Sequence, residues 1–525
     1  MGTARSITRT IHPPTPGHFT MLRARPSRRP AAIAAGLTLA AGSALLVAPA
    51  DSAFAVGTPK LKVVSVGHTS FTVEVSGTGG RFKLYAAHTI KGVSVVNFGS
   101  AESSKWTHSK HVTITGLKYS TDPYYYRLIA EAGGHHAYSA IDGPVGLAPS
   151  KPTNLALSTP SGAISLKWDS KAATGYQIVQ ATDAQLSQGR KIYTMHGPDQ
   201  QFTPLGLTPG TTYFFAVRAR NLTSHSGWSS AVSGTAASKE QSLSTVTYNI
   251  REAVHDNEPD GSNHGAPWSA RKGPAAALLR SAMPDVIAIQ EGASFVDGST
   301  TERQADSLTD QLGAPYKLAR TEIPPTEKHY FRTGDYIIYN SNRLAPIGNG
   351  DHWDLGHASL GTQHWAAYQE FQVIGSGAQF AFVAFHLIQK NDNPATDDVA
   401  RQDQATSMFQ QAHTKFPNVP IVYGGDTNSA LEGKHVVDSA RVAARAFGID
   451  DAFDAAQSRH NTKYNSANGY NEKPPAFSDD IDAILTEPGV GVSTWDELLN
   501  LSHGKFVTPI PSDHNPVVAG VEIPY

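Results

Sequence analysis

The sequence contains no cysteine among its 525 residues. Disulfide bonds, zinc–thiolate sites and cysteine nucleophiles are therefore excluded. The sequence also lacks a glycine-rich phosphate loop with lysine, a serine nucleophile elbow and a His-Glu-x-x-His helix. These absences remove the usual sequence signatures of P-loop nucleotide hydrolases, of α/β-hydrolases and of zinc proteases.

Charge is sparse and unevenly distributed. Charged residues make up 17% of the sequence, and the formal net charge is −2. Residues 1–55 hold six arginines and a single acid, Asp51, so they contribute +5 and the remainder of the chain carries −7. A protein with this balance has no general basic face for gripping polyphosphate backbones, so any contact with nucleic acid must be local.

The basic start of the chain has the pattern of an export signal. Arg23 to Arg29 form a positive region, an uncharged Ala/Leu-rich stretch follows from Ala31 to Ala48, and Ala53-Phe54-Ala55 is a small-x-small triplet. A membrane anchor is the alternative, but the stretch is only weakly apolar and no basic stop-transfer flank follows it. We therefore expect a signal peptide over 1–55, no stable membrane anchor, and a secreted, bacterial protein.

Two blocks of short alternating strands come next. Residues 58–149 contain runs such as "FTVEVS" and "HVTITGL", separated by turn clusters, and residues 150–237 repeat the pattern more sharply. In the second block, "LTPGTTY" at 207–213, together with Trp168 and Tyr176, resembles the fibronectin type III signature. The sequence thus predicts two tandem fibronectin type III-like sandwiches with aromatic cores, which offer polysaccharides or surfaces a contact site.

After a predicted linker at 238–244, the pattern changes to that of an α/β domain over 245–525. Apolar runs such as "DVIAIQ" and "IVYGG" alternate with helical stretches. Thr396 is positioned to cap a helix in which Ala405, Phe409, Ala412 and Phe416 share one face.

Amide, carboxylate and imidazole residues stand at the beginning or end of the apolar, strand-like runs of this domain. They are Asn249, Glu291, His386, Asp426 with Asn428, Asp482, and the stretch Ser512-Asp513-His514. Each alone has an ordinary structural explanation, but strand ends on one edge of a sheet converge in space. Carboxylates and amides suit a hard cation such as Mg²⁺ or Ca²⁺, and histidines can exchange protons with phosphate oxygens. The simplest chemistry for this set is attack of an activated water on a metal-bound phosphate.

The motifs "YNIR", "IQE", "FHL", "GGDTN", "IDAIL" and "SDHNPV" occur in this order between Thr245 and Val521. This series resembles the endonuclease/exonuclease/phosphatase superfamily, whose deoxyribonuclease-I-like fold is a four-layer α/β sandwich. The resemblance implies a multidomain chain with two all-β modules followed by that sandwich. It also implies a metal-dependent phosphoesterase that uses Mg²⁺, Ca²⁺ or Mn²⁺.

The resemblance assigns a role to each matching residue. Asn249, Glu291 and Asp513 hold or complete the metal shell, Asp426 orients or deprotonates the attacking water, and Asn428 positions the phosphate. His514 works with Asp482 behind it, His386 stabilises phosphoryl or leaving-group oxygens, and Arg251 lies beside the scissile phosphate. Asp335 lies near a further substrate-side position of the family but is equally compatible with a cap, so it is left unassigned.

Thr427, Asp479 and Asp480 depart from the family pattern, and acids so close to the site would repel a polyanionic strand. The main prediction is a secreted, metal-dependent nuclease. A secreted phosphatase or a lipid or small-molecule phosphodiesterase is the alternative, and a surface- or glycan-binding protein with an inactive third domain is a further one. The polar segment "SRHNTKYNSANGYNEKPPAF" is predicted to be a substrate-facing loop.

Overall fold

The structure is a computed structural model of the full chain. It describes residues 56–94, 101–120, 122–171, 173–222, 224–253, 256, 265–293, 296, 302–319, 334–357, 363–389, 394–430, 438–476 and 480–525. The predicted signal peptide lies outside these residues. In the part that is described, no helix has both the length and the apolar character needed to cross a membrane.

The first module is a sandwich of two antiparallel sheets. The sheet orders are β1-β2-β5 and β4-β3-β6-β7, and β8 also pairs with β6. Apolar side chains alternate along these strands and meet between the sheets, as in β2 and β3, where Phe71, Val73 and Leu84 are fully buried. The strands are β1 (Lys60–Val66), β2 (Ser70–Ser76), β3 (Arg81–Ala87), β4 (Glu102–Ser103), β5 (His111–Thr115), β6 (Tyr124–Ala132), β7 (His135–Tyr138) and β8 (Asp142–Val145).

The second module repeats this arrangement. Its sheets have the orders β13-β10-β9 and β12-β11-β14-β15. Trp168 and Tyr176 meet edge to face in the core with ring centroids 5.0 Å apart, so the predicted core aromatics are confirmed. The strands are β9 (Thr153–Ser158), β10 (Ser165–Asp169), β11 (Gly175–Ala181), β12 (Lys191–His196), β13 (Gln201–Phe202), β14 (Thr212–Arg220) and β15 (Val232–Thr235).

The third domain has two facing sheets. The first has seven strands in the order β18-β19-β17-β16-β30-β27-β25, and the second has six in the order β20-β21-β22-β23-β26-β24. The strands are β16 (Glu240–Asn249), β17 (Val286–Gln290), β18 (Tyr316–Leu318), β19 (Tyr336–Asn340), β20 (Leu344–His357), β21 (Gln363–Val373), β22 (Gln379–His386), β23 (Ile421–Asp426), β24 (Asp450–Asp451), β25 (Ser458–His460), β26 (Asp482–Thr486), β27 (Gly491–Glu497), β28 (Leu501–Ser502), β29 (Lys505–Phe506) and β30 (Val517–Pro524), of which β28 and β29 form a separate hairpin.

Helices cover the outer face of each sheet and complete the four layers. These outer helices are α1 (Trp268–Ser281), α2 (Gln304–Leu312), α3 (Pro394–Lys415) and α4 (Ser439–Phe447), whereas the short α5 (Ala452–Ala455) contributes to the core between the sheets. Helices α1 and α2 share a core with the first sheet, whereas α3 and α4 share one with the second. The predicted face of α3, which includes Ala405 and Phe409, is buried there, although α3 begins at Pro394 and so places Thr396 inside the helix. The predicted four-layer α/β fold is confirmed.

Strand β16 begins inside the segment predicted as a linker. Residues Glu240 to Ser244 pair with Pro524 to Gly520 of β30, so they form the first half of a sheet strand. Backbone pairing with β30 stabilises this polar stretch although its side chains are not those of a buried strand. The connection between the second module and the α/β domain is therefore much shorter than the predicted 238–244.

The second module packs directly on the α/β domain. The buried carboxylate of Asp199 accepts hydrogen bonds from Arg445 Nε at 2.6 Å and from the backbone N–H of Asp451 at 3.1 Å. Thr203 Oγ1 accepts another from the N–H of Gly489 at 3.1 Å. Polar contacts of this kind fix the module against α4 and β24.

Candidate active site

Six polar side chains meet where strands of the two sheets end. Successive strand residues point to opposite faces, and residues two positions further into the strands, such as Ala288, Ile337, Ala384 and Ile484, lie in the core between the sheets. The end positions of the same parity therefore face inward as well. They are Asn249, Gln290 and Asp335 on the first sheet and His386, Asp426 and Asp482 on the second.

Asn249 connects the two sheets. Its Nδ2 donates to Glu291 Oε1 at 2.9 Å and to Asp426 Oδ2 at 3.1 Å. Its Oδ1 accepts from the N–H of Arg251 at 3.0 Å. A single buried amide therefore holds the carboxylate of Glu291, which follows β17, a few ångströms from that of Asp426, which ends β23.

Three of the predicted site residues have left-handed backbone conformations without being glycine. The φ angles are +58° at Arg251, +61° at Glu291 and +49° at Asn428. Such strained residues persist where the surroundings fix them, and they are common at functional sites. At each of the three positions the chain turns immediately after a buried strand, which aims the side chain at the rim of the sheet.

Glu291 is held as an anion. Its Oε2 accepts from the N–H of Glu252 at 2.8 Å, in addition to the bond from Asn249. Burial alone would raise the pKa of Glu291, but His386 and the two hydrogen bonds outweigh burial and lower the pKa below its ordinary value.

His514 and Asp482 form a buried pair. His514 Nδ1 lies 2.8 Å from Asp482 Oδ2, and the Asp482 carboxylate is 1% exposed. Burial would lower the pKa of His514, but Asp482, Asp426 and Asp513 together raise it well above its ordinary value. The predicted pairing of these residues is present, and the free Nε2 of His514 points towards Asp426 Oδ2 at 3.8 Å.

Asp426 lies between the two imidazoles. Its Oδ2 is 3.5 Å from His386 Nε2, and its Oδ1 accepts from the N–H of Asn428 at 2.8 Å. Burial and the nearby Asp482 raise the pKa of Asp426, while the two histidines partly offset that rise.

Thr427, which departs from the family pattern, is fully buried. Its hydroxyl donates to the carbonyl of Ile481 at 2.7 Å, so this buried polar group has a hydrogen-bond partner.

Asp513 and Arg251 lie on the accessible side of the site. Arg251 Nη1 is 3.2 Å from Asp513 Oδ2, and their side chains are 25% and 18% exposed. The predicted substrate-facing loop is anchored to the same stretch, because the N–H of Asn468 donates to the carbonyl of Asp513 at 2.6 Å and its Nδ2 to that of Ser512 at 3.0 Å. Asn468 therefore supports the segment that carries Asp513 and His514.

The donor set suits a divalent cation. Glu291 is anionic, and the two buried carboxylate oxygens of Asp335 lack any hydrogen-bond donor. Burial, Asp426 and Glu291 raise the pKa of Asp335 well above its ordinary value, as expected where positive charge is missing. Another group, Asp426, Asp482 and His514, has ligand atoms within 4.8 Å of one another, but the Asp482–His514 hydrogen bond already accounts for it.

Gln290 belongs to the site but was not predicted from the sequence, and Asp335 was left without a role. Gln290 is fully buried, and its Nε2 has no partner. Asp480, predicted to repel polyanions, is 1% exposed, so it does not add surface charge. Its companion Asp479 lies outside the described residues. The alternation of side chains along a strand could have predicted Gln290 and assigned Asp335 to the site, since both share the face of nearby core residues such as Ala288 and Ile337.

A further buried acid lies behind the site and makes stability depend on pH. Glu497 Oε1 accepts from Asn515 Nδ2 at 2.7 Å, while its Oε2 has no partner. Burial, with Asp480 next in effect, raises the pKa of Glu497 from 4.5 to about 9. The folded protein thus holds this proton more tightly than the unfolded chain, so stability is lost progressively as the pH rises from 4.5 to 9.

We expect Glu497→Gln to stabilise the protein by about 1–3 kcal/mol at pH 8, because the folded protein must keep Glu497 protonated at a pH where the unfolded chain ionises it, and the neutral amide removes this difference. At pH 4.5 the gain should nearly vanish. Thermal unfolding at both pH values measures this, with Glu522→Gln on β30 as the control. Equal gains at the two pH values would contradict the titration of Glu497.

The comparisons with known proteins cover the second module and the α/β domain separately. Residues 150–235 match the family model of the fibronectin type III domain. A search of curated proteins returned no match.

Solved structures resemble the α/β part of the chain. One is an endonuclease/exonuclease/phosphatase family protein from Bacteroides thetaiotaomicron, with 18% identity and a TM-score of 0.41, covering 54% of this chain and 99% of that one. Another is a mannosyl-6-phosphatase from the same species, with 18% identity, a TM-score of 0.41 and coverage of 53% and 99%. A third is D. rerio TDP2 complexed with a single-stranded DNA product, with 14% identity, a TM-score of 0.37 and coverage of 53% and 98%. At this level of similarity no residue role or substrate is transferred to this chain.

Proposed function

We propose that the α/β domain is a divalent-metal-dependent phosphoesterase that hydrolyses phosphoester bonds by attack of an activated water. The observation that carries this proposal is the position of Asp426, between the sheet-bridging Asn249 and the imidazoles of His386 and His514. One carboxylate base beside two imidazoles, with an anionic carboxylate nearby, is a complete set for in-line phosphoryl transfer.

Asp426 is the proposed base. Because burial and Asp482 raise its pKa, Asp426 binds a proton more readily than an exposed aspartate does at neutral pH. Its Oδ1 is fixed by the N–H of Asn428, which leaves Oδ2 directed towards the two imidazoles. Asn428 in turn donates through Nδ2 to the carbonyl of Leu387 at 2.9 Å, which orients the amide for a phosphate oxygen.

The two imidazoles are the proposed partners of the phosphoryl oxygens. His514 is cationic because Asp482 supports its charge, so its Nε2–H can donate to a developing negative charge. His386 occupies the other side of Asp426 and is suited to protonate or stabilise the leaving group. His364 Nδ1 lies 2.9 Å from the carbonyl oxygen of His386 and steadies that strand end.

Glu291, Asn249 and Asp513 are the proposed residues that would hold the cation. When bound, a divalent cation polarises the phosphoryl group and offsets its negative charge. Arg251 beside Asp513 supplies a fixed positive charge at the same rim, where a non-bridging phosphate oxygen would lie.

Nucleic acid outside the cell is the proposed substrate. The predicted export signal supports this proposal. The burial of Asp480 supports it as well, because Asp480 is one of the two acids that were expected to repel a polyanionic strand. The charge of −7 beyond residue 55 still favours local contacts with one strand over broad binding of a duplex.

We expect the protein beginning at Val56 to nick plasmid DNA in Mg²⁺ or Mn²⁺ and to lose this activity in EDTA. Asp426→Asn, which keeps the shape but not the base, should lower the rate about 10²–10⁴-fold. Gel analysis of plasmid forms measures both, with bis-p-nitrophenyl phosphate and a phosphomonoester in parallel.

The three substrates separate the alternatives. An intact plasmid with a cleaved diester would direct the assignment to lipid or small-molecule phosphodiesters, and cleavage of the monoester alone to a phosphatase. If no substrate reacts with any metal, the proposed hydrolase is wrong and binding of glycans or surfaces through the modules becomes the better hypothesis.

A further inference from the structure

Asp335 lies against the backbone of Glu291. Strand β19 pairs antiparallel with β17, with Tyr336 opposite Ile289, so the next positions place Asp335 opposite Gln290 and Gly334 opposite Glu291. The N–H of Gly292 donates to the carbonyl of Gly334 at 2.9 Å. The approach is so close that a Cβ on Gly334 would lie 2.5 Å from the nitrogen of Gly292 and 2.8 Å from Cα of Glu291. Glycine at 334 therefore brings Asp335 beside the predicted metal ligand.

The carboxylate of Asp335 lacks the compensation that a buried acid requires. Both oxygens are inaccessible and accept no hydrogen bond. At the other end of the neighbouring strand, the buried Asp285 differs in this respect, since it accepts from Arg343 Nε and from the N–H of Ser244, each at 3.0 Å. A buried carboxylate without a partner raises the free energy of the folded protein. Asp335 therefore requires either a bound positive charge or a proton.

The groups nearest to Asp335 make a cation the better match. It faces Asp426 across the sandwich and has Glu291 beside it, and both are acids. The amide of Gln290, opposite Asp335 in the register of the two strands, leaves its Nε2 unpaired and does not donate to Asp335. A structural acid that stayed protonated would be expected to donate to one of these acceptors, yet Asp335 makes no hydrogen bond.

We propose that Asp335 is a carboxylate ligand of the divalent cation, so that Asp335 and Glu291 bind it from adjacent strands. This inference rests on the proposed metal-dependent function. It gives the site one more oxygen ligand and one more negative charge than the predicted set of Asn249, Glu291 and Asp513, a combination that favours hard divalent cations.

The test is metal binding by the purified protein, independent of catalysis. Isothermal titration with Mg²⁺ and with Mn²⁺ gives the affinity, and thermal unfolding with and without each metal gives the stabilisation that metal binding supplies. The variants are Asp335→Asn, Glu291→Gln as a positive comparison, and Asp285→Asn as a matched control on the same sheet.

We expect Asp335→Asn to weaken Mg²⁺ binding at least tenfold and to raise the unfolding temperature of the metal-free protein, because an uncompensated charge is removed. Asp285→Asn should do the reverse, lowering the metal-free unfolding temperature while leaving Mg²⁺ affinity unchanged. Opposite signs in two similar substitutions cannot arise from general damage to the fold.

Two results would overturn the inference in different ways. If the native protein binds Mg²⁺ and Asp335→Asn binds it equally well, Asp335 is a structural acid while the proposed function survives. If the native protein binds neither metal, both the ligand assignment and the metal-dependent function are wrong.

Discussion

Replacement of His514 by alanine is expected to reduce kcat for phosphoester hydrolysis about 10²–10⁴-fold, the usual contribution of a positioned acid or base. His514 Nδ1 is bonded to the buried Asp482 at 2.8 Å, and its Nε2 faces the side of the cluster where Asp426 lies. Removing the imidazole also leaves Asp482 buried without its partner. We expect KM to change much less than kcat, because the charge that His514 stabilises develops in the transition state.

Asp482→Asn tests the same pair by changing the pKa of His514. The amide keeps the hydrogen-bonding shape but removes the charge that raises the pKa of His514. His514 should then lose its proton at a lower pH, and the alkaline limb of the pH profile of kcat/KM should move to lower pH. An unchanged profile would show that Asp482 does not support the charge on His514.

His413→Ala provides the matched control for this experiment. His413 Nε2 is also hydrogen-bonded to a carboxylate, Glu487, at 2.7 Å. It lies near the end of α3, and Glu487 follows β26 at the end opposite to Asp482. Activity within a few-fold of the native protein is expected. A loss as large as that of His514→Ala would point to general destabilisation.

The residues that begin or end buried strands could be predicted from the sequence. A charged or amide residue next to an apolar run is visible without knowledge of the fold, and Asn249, Glu291, Asp426 and His514 all have this signature. The structure brings these four residues together. Their separate roles in metal binding and catalysis stay predictions.

The residues to which the sequence assigned no role depend on tertiary packing. Asp335 lies in "GDYIIYN", where an aspartate before a strand is ordinarily a cap, and only its register against Gln290 directs it inward. The ion pair of Arg445 with Asp199 joins positions 246 residues apart. Local sequence gives no signal for such a pair, because isolated Asp and Arg residues are ordinarily surface residues.

Replacement of the buried Arg441 in α4 has the largest expected effect on stability. The side chain of Arg441 is 2% exposed, and its Nε donates to Asp451. Its Nη1 lies 3.5 Å from Asp438 and donates to the carbonyl of Ser429 at 3.1 Å. Although burial lowers the pKa of Arg441, Asp451 and Asp438 outweigh it and raise the pKa above its ordinary value.

Arg441→Met is therefore expected to destabilise the protein by about 3–5 kcal/mol, because it leaves the buried carboxylate of Asp451 without its cation and removes one of the two arginines beside Asp438. Arg441→Lys should be intermediate, since an ammonium keeps the charge but cannot reach three acceptors in the guanidinium geometry. Thermal unfolding with tryptophan fluorescence measures both. Arg343→Met, at a partly exposed pair with Asp285, should cost less than about 1 kcal/mol.

The same substitution should affect the site and the module together. Ser429 follows the turn that carries Asp426 and Asn428, so loss of the hydrogen bond from Arg441 removes a restraint on that turn. We therefore expect a lower kcat even at temperatures at which the variant is still folded. Asp451, on the other side of Arg441, donates its N–H to Asp199 of the second module. Asp199→Asn should thus reproduce part of the loss in stability through the module alone. If Arg441→Met lowered stability with kcat unchanged, Arg441 would support the module contact without positioning the catalytic turn.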